Sequence, residues 1–122
     1  MKFKTISQLA IIASTCFLTA CSVNFGGNND HSSYSERKKM IQLEEQNRRL
    51  ISNLVPGQSL TEVKSTLGVA NFSEFKKVDG KPSLILYYRT HRTHADGETT
   101  KDECTPLIFT NEQLVAWGES AL

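Results

Sequence analysis

The chain has 122 residues, a length that suits one small domain. Its charges are balanced, with 14 Lys and Arg against 13 Asp and Glu, so no basic excess points to a nucleic acid partner. This length excludes a large multi-step enzyme and a polytopic membrane protein.

The first twenty residues have the layout of a signal peptide. Residues 1–8 are short and basic, residues 9–18 are apolar, and small residues follow. Ten helical residues span about 15 Å, half of a hydrocarbon core of roughly 30 Å, so the apolar run is too short to cross a membrane. We therefore predict that residues 1–20 are a cleaved signal peptide.

The four residues Leu18-Thr19-Ala20-Cys21 follow the apolar run directly and resemble the lipobox of bacterial lipoproteins. The resemblance implies that signal peptidase II cuts between Ala20 and Cys21, and that Cys21 carries a diacylglycerol and an amide-linked acyl chain. Such an anchor holds a protein stably on a bilayer. Because Ser22 stands where an aspartate would signal inner-membrane retention, the resemblance implies the periplasmic face of a Gram-negative outer membrane.

Residues 21–34 are predicted to be the acylated cysteine and a flexible tether, because they are rich in Gly, Asn and Ser and show no periodicity. His31 is expected to be a solvated tether residue. The folded domain is predicted over residues 35–122.

A first helix is predicted over residues 35–53, where apolar residues recur at helical spacing until Pro56-Gly57. The predicted apolar stripe consists of Met40, Ile41, Leu43, Leu50, Ile51 and Leu54. Positions 40, 43, 47, 50 and 54 also fit a short heptad pattern with Asn47 at an a position. We expect packing on the chain's own domain, and self-association through residues 35–54 remains an alternative.

A second, short helix is predicted after Ser59, since Ser59-Leu60-Thr61-Glu62 forms a capping-box pattern. Leu60, Val63 and Leu67 would share one face, and Gly68 would end the helix.

A period of two then predicts strands over 70–75, 83–92, 104–110 and 113–118. The strand over 83–92 is the most apolar and has apolar residues on both faces, which predicts a central strand covered on both sides. Asp79-Gly80 and Asn111-Glu112 are the predicted turns, and residues 93–103 form a polar loop. Pro106 cannot donate to a ladder, so we expect it at an edge or a bulge. The predicted fold class is α+β, with two helices packed on a three- to four-stranded antiparallel sheet.

The run from Leu54 to Val63, continuing to Leu67-Gly68, resembles the signature of the BamE-like (SmpA/OmlA) lipoprotein superfamily. The resemblance implies a lipobox, a tether, two helices and a three-stranded antiparallel sheet. A distinct group of short envelope lipoproteins of unknown function is resembled by the ending, which consists of Tyr88-Arg89-Thr90, Glu103-Cys104-Thr105-Pro106-Leu107 and Trp117-Gly118. The chain departs from BamE itself, which generally has proline where Val69 stands.

Two groups of residues are candidates for chemistry or recognition. Cys104 is predicted to be a small buried hydrophobe, with a reactive thiol or an intermolecular disulfide as alternatives. The residues Arg89, His91, Arg92 and His94 form a basic cluster before several acidic residues. Such a pattern fits a hairpin whose charges pair with each other and contribute little, or a polar recognition surface. A metal site is not predicted, because residues i and i+3 of a strand point to opposite faces and Arg92 would repel a cation.

Together with the two resemblances, which imply an outer-membrane lipoprotein, these patterns predict a non-catalytic protein that needs no cofactor. Its domain would be an interaction or scaffolding module for envelope proteins, in outer-membrane assembly or maintenance. The alternatives are a small-ligand or inhibitor-binding domain, or a thiol or metal protein centred on Cys104.

Overall fold

A computed structural model describes residues 29–122, with side chains from Ser33 onward. Its two helices and four strands are α1 (Asn29–Ser52), α2 (Leu60–Leu67), β1 (Phe72–Val78), β2 (Lys81–Arg89), β3 (Cys104–Thr110) and β4 (Gln113–Trp117). The α+β prediction is confirmed, with four strands. The predicted signal peptide and lipobox lie outside the described residues. Within residues 29–122, no helix is both long and apolar enough to span a bilayer.

Helix α1 begins at Asn29, whereas the sequence pattern predicted a tether up to residue 34. The tether prediction is therefore wrong for residues 29–34, which contain neither Gly nor Pro to oppose a helix. The start of that tether, from Cys21 to residue 28, lies outside the described residues.

The buried face of α1 differs from the predicted apolar stripe. Ile51 and Leu54 are buried as expected, but Ile41 and Leu43 are exposed. Two polar residues of α1, Glu44 and Asn47, are buried instead and lie against the end of β2. Two positions of the heptad pattern, Asn47 and Leu54, pack within this chain.

Helix α2 has the predicted capping box. The Ser59 hydroxyl accepts from the Glu62 N–H at 3.2 Å, and the Glu62 carboxylate accepts from the Ser59 N–H at 3.1 Å. Val63 and Leu67 are buried, and Gly68 ends the helix with a φ of 77°.

The strands form an antiparallel meander in the order β1-β2-β3-β4. The turn between β1 and β2 is Asp79-Gly80, with φ angles of 50° and 77°, which favours a tight hairpin. The turn between β3 and β4 is Asn111-Glu112, with φ angles of 51° and 62°. Strand β2 ends at Arg89, so the predicted extension to residue 92 is wrong.

Pro106 lies in β3, an interior strand, so the expected edge position is wrong, and the irregularity in β3 falls between Ile108 and Phe109 instead. The carbonyl of Pro106 accepts from Gly118 N–H, just beyond the end of β4. The N–H and C=O of a strand residue point to the same side. The N–H that proline lacks would therefore point beyond the end of β4, and its absence costs no hydrogen bond to β2.

Both faces of the sheet are covered, as the apolar pattern of β2 predicted. On one face, the apolar ends of α1 and α2 pack on Leu86, Tyr88, Leu107, Phe109 and Leu114. On the other face, Ile85, Tyr87, Cys104 and Ile108 form a second, smaller cluster with Phe72, Val78, Ala116 and Ala121.

The two edges of the sheet differ. The segment before α2 binds the outer edge of β4, since Gly57 N–H donates to Leu114 O at 2.7 Å and Leu114 N–H donates to Gln58 O at 2.8 Å. In residues 29–122, no backbone hydrogen bond reaches the outer edge of β1. The described domain therefore has one open sheet edge.

Candidate functional site

A buried ionic cluster lies where β2 meets α1 and the loop after β2. Arg89, the last residue of β2, is only 1% exposed. Its Nε donates to Glu44 Oε1 at 2.8 Å, and its Nη1 donates to Glu98 O at 2.7 Å and to Thr99 Oγ1 at 2.8 Å. Glu103 Oε2 lies 2.8 Å from the same Nη1, as an ion-pair contact. We call Arg89, Glu44 and Glu103 the Arg89 cluster.

Glu103 holds the loop over this cluster. Its Oε1 accepts from the backbone N–H groups of Thr93 at 2.8 Å and His94 at 2.9 Å. The His94 N–H contributes most to lowering the pKa of this carboxyl, followed by the Thr93 N–H and then the Arg89 charge, while burial opposes the shift. The carboxylate is therefore held ionised at neutral pH and fixes the path of residues 93 and 94.

Backbone contacts at the same position attach α1 to the sheet. Asn47 Nδ2 donates to Arg89 O at 2.8 Å, and the Arg48 guanidinium donates to Thr90 O. Asn71 Oδ1 accepts from Arg89 N–H at 2.8 Å. These bonds satisfy the polar groups of β2 where its ladder stops, which buried backbone requires.

The predicted basic surface is divided by this arrangement. Arg89 is buried and cannot belong to an exposed recognition surface, so that part of the prediction is wrong. His91 and His94 are exposed in the loop, and His94 Nε2 lies 3.2 Å from Asp102 Oδ2. Arg92 is half-buried and lines a cleft of about 240 Å³ between the loop and α1.

Cys104 begins β3 and is 1% exposed. Its Sγ donates to Thr100 O at 3.4 Å, and burial raises the pKa of the thiol to about 11. At neutral pH the group is a protonated thiol, whereas nucleophilic attack and metal ligation require the thiolate. Among the described residues, no group of three or more His, Cys, Asp and Glu side chains is placed to hold a metal ion.

A smaller polar group lies on the helix-free face of the sheet, at β1. Glu74 Oε2 accepts from Tyr87 Oη at 3.0 Å and from Lys101 Nζ at 3.0 Å. Lys101, then Tyr87, lowers the pKa of the Glu74 carboxyl, so Glu74 is a fixed negative charge near the open edge.

Sequence reasoning missed the Arg89 cluster. The signal available was the apolar run from Leu84 to Tyr88 directly before Arg89, in a strand expected to be covered on both faces, combined with Glu44 on the inner side of α1. Neither residue alone indicates burial, because Arg and Glu are mostly exposed in proteins.

The fold and the site together define a small two-layer α+β domain, closed at one end by buried ionic contacts. A family model described as "Protein of unknown function (DUF3192)" matches residues 19–122. The chain belongs to the DUF3192 family. Neither the curated proteins nor the solved structures contain a match to it.

Proposed function

We propose that this protein is an outer-membrane lipoprotein whose DUF3192 domain is a non-catalytic interaction module facing the periplasm. The observation that carries the proposal is Cys21, which follows a signal-peptide core in a lipobox-like sequence. The similarity of residues 54–68 to BamE-like lipoproteins supports the same compartment and a role in outer-membrane assembly or maintenance.

The start of α1 supports a domain held close to the membrane. Eight peptide links separate Cys21 from Asn29, and a fully extended chain of that length spans roughly 28 Å at most. An acylated Cys21 would thus confine the domain to a thin layer, which raises its effective concentration toward other envelope proteins.

The loop after β2 is the part of the domain that we propose for contact with such proteins. It presents His91 and His94 to solvent, while the buried Glu103 beneath them fixes their backbone. Arg92 and Asp96 line the cleft between this loop and Met40 of α1. A polar loop held by buried charges offers a preorganised surface, which reduces the ordering cost of binding.

Anchoring is tested by labelling with palmitate in a Gram-negative host. The wild-type chain should incorporate label, and Cys21→Ala should remain an unlabelled precursor. Cys104→Ala is the matched control and should be labelled as wild type. Labelling of Cys21→Ala, or full rescue of a deletion phenotype by an unanchored soluble domain, would refute the anchoring proposal.

The interaction surface is tested by site-specific photocrosslinking in intact cells. A crosslinking residue at His94 should capture the same envelope protein in repeated experiments, and one at the exposed Ser120 should not. Equal capture at both positions would contradict a specific surface in the loop.

A further inference from the structure

The open edge of β1 is unusual in its composition. Its sequence from Phe72 to Val78 places exposed apolar and basic residues and the half-buried Glu74 within one short strand. Phe75 is 72% exposed and borders a cleft of about 340 Å³ whose other walls include Leu60 and Leu84. Open edges that carry apolar side chains are sites where another strand can add.

The hydrogen-bonding side of each β1 residue follows from its register. Asn71 N–H donates to Tyr87 O, so the backbone groups of Tyr87 face β1, and those of its partner Phe72 face β2. Since successive residues alternate, the N–H and C=O groups of Ser73, Phe75 and Lys77 point outward. An added antiparallel strand must bond to these three residues.

We propose that the strand that adds to this edge is β1 of a second copy of this chain, antiparallel and centred on Phe75. In that register the two Phe75 residues are directly opposite each other, and Ser73 faces Lys77 of the second copy. All of these pairs use the outward-pointing backbone groups, so the two four-stranded sheets would become one continuous sheet. The interface is isologous, as a two-fold dimer requires.

Charge complementarity selects this register. Glu74 lies opposite Lys76 of the second copy, and Lys76 lies opposite its Glu74, so two pairs of opposite charges form on the helix-free face. Phe72 and Val78 then meet at both ends of that row. Opposite charges and apolar residues in directly opposed positions stabilise a sheet, and like charges in such positions destabilise it.

The neighbouring registers lack this match. Sliding one strand by two residues in one direction places Glu74 opposite Glu74, and sliding it the other way places Lys76 opposite Lys76. Glu74 is already held by Tyr87 and Lys101, so its position does not have to be ordered when the partner binds. This dimer does not use the helix 35–54 surface and does not depend on lipidation.

Disulfide trapping in cells that express the full chain tests both the partner and the register. In the proposed pairing, the two residues at position 75 have Cα atoms about 5.5 Å apart, within the range that a disulfide bridges. Phe75→Cys should therefore form a disulfide dimer at twice the monomer mass under mild oxidation. The wild type, which retains the native cysteines, sets the background.

Ser73→Cys is the matched control, because it lies on the same edge and the same face. Its two copies would be about 14 Å apart along the paired strands, too far for a disulfide. It should stay at background, while the double variant Ser73→Cys/Lys77→Cys should crosslink as well as Phe75→Cys. Adding Lys76→Glu to Phe75→Cys should lower the yield several-fold, since it places Glu opposite Glu74.

The proposal is overturned if Phe75→Cys stays at background, or if Ser73→Cys alone crosslinks equally. A crosslinked product of another mass would likewise overturn it, because it would show that a different protein occupies the edge. The three positions that receive cysteine, 73, 75 and 77, are exposed, so a cysteine side chain fits at each of them. Unchanged thermal unfolding of each reduced variant confirms that it is folded.

Discussion

Replacing Arg89 by methionine tests the structural role of the buried cluster. Methionine keeps much of the aliphatic volume but removes the cation, which is 1% exposed and contacts both Glu44 and Glu103 at 2.8 Å. Both carboxylates would remain in the protein interior without their positive partner. The same substitution also removes the bonds from Arg89 to Glu98 O and Thr99 Oγ1.

The expected effect is large for a domain of this size. Removing one partner of a buried ion pair costs about 3–5 kcal/mol in free energy of unfolding. Small domains lose about 4–8 °C in Tm per kcal/mol, so Arg89→Met should lower Tm by at least about 12 °C. Thermal and urea unfolding of the purified chain, followed by far-ultraviolet circular dichroism, measures this change.

Arg92→Met provides the matched control, since Arg92 is three residues away and half-buried. Its free energy of unfolding should change by less than about 0.5 kcal/mol. A double-mutant cycle with Glu44→Gln should give a coupling of at least about 1 kcal/mol with Arg89→Met. If Arg89→Met is no less stable than Arg92→Met, the reasoning about this cluster is refuted.

Four further predictions follow from local features. Ser59→Ala should lower the free energy of unfolding by about 1 kcal/mol, because the N-cap of α2 is lost. Ser65→Ala, on the same short helix, should lower it clearly less. Equal effects of the two substitutions in urea unfolding would contradict the capping argument. Glu112→Gly should raise the free energy of unfolding by about 1 kcal/mol, because the φ of 62° suits glycine; a lower urea midpoint would contradict this. Stability should fall as the pH drops below the ordinary glutamate pKa of 4.5, because the lowered pKa of Glu103 makes the unfolded chain bind more protons than the folded chain there. Glu103→Gln, already less stable at neutral pH, should lose less stability over this range. An equal slope for the two chains would exclude this cause. Cys104 should react with a thiol reagent at least about tenfold more slowly in the folded chain than in urea, because its thiol is buried and protonated. The reaction of Cys104→Ala gives the contribution of the other cysteines. Equal rates with and without urea would mean that the folded chain exposes a reactive thiolate.

The parts of the fold that were predicted correctly are those with local causes. The capping box of Ser59 and Glu62 spans four residues, and the turn at Asp79-Gly80 spans two, so each can be recognised within the sequence itself. The continuous apolar run in β2 likewise indicates burial on both faces of one strand. These elements needed no knowledge of distant residues.

The parts that were missed depend on distant partners. Glu44 and Asn47 are buried because Arg89, more than forty residues later, supplies a charge and a carbonyl to them. The position of Pro106 depends on where β4 happens to stop. The buried Arg89 cluster was therefore outside the reach of pattern reasoning, and it changed the predicted surface by removing one of its four residues.

The long separation between α1 and Arg89 also sets an order of assembly during synthesis. The contacts that hold α1 join residues 42 and 45 positions apart, whereas each hairpin of the meander joins neighbouring segments. Synthesis proceeds from the N-terminus, so α1 is made first but has no docking site until β2 has emerged. A lone helix in water is only marginally stable. Helix α1 is thus expected to dock only after β2 has emerged, and a chain interrupted before Arg89 would leave this helix without a place to pack.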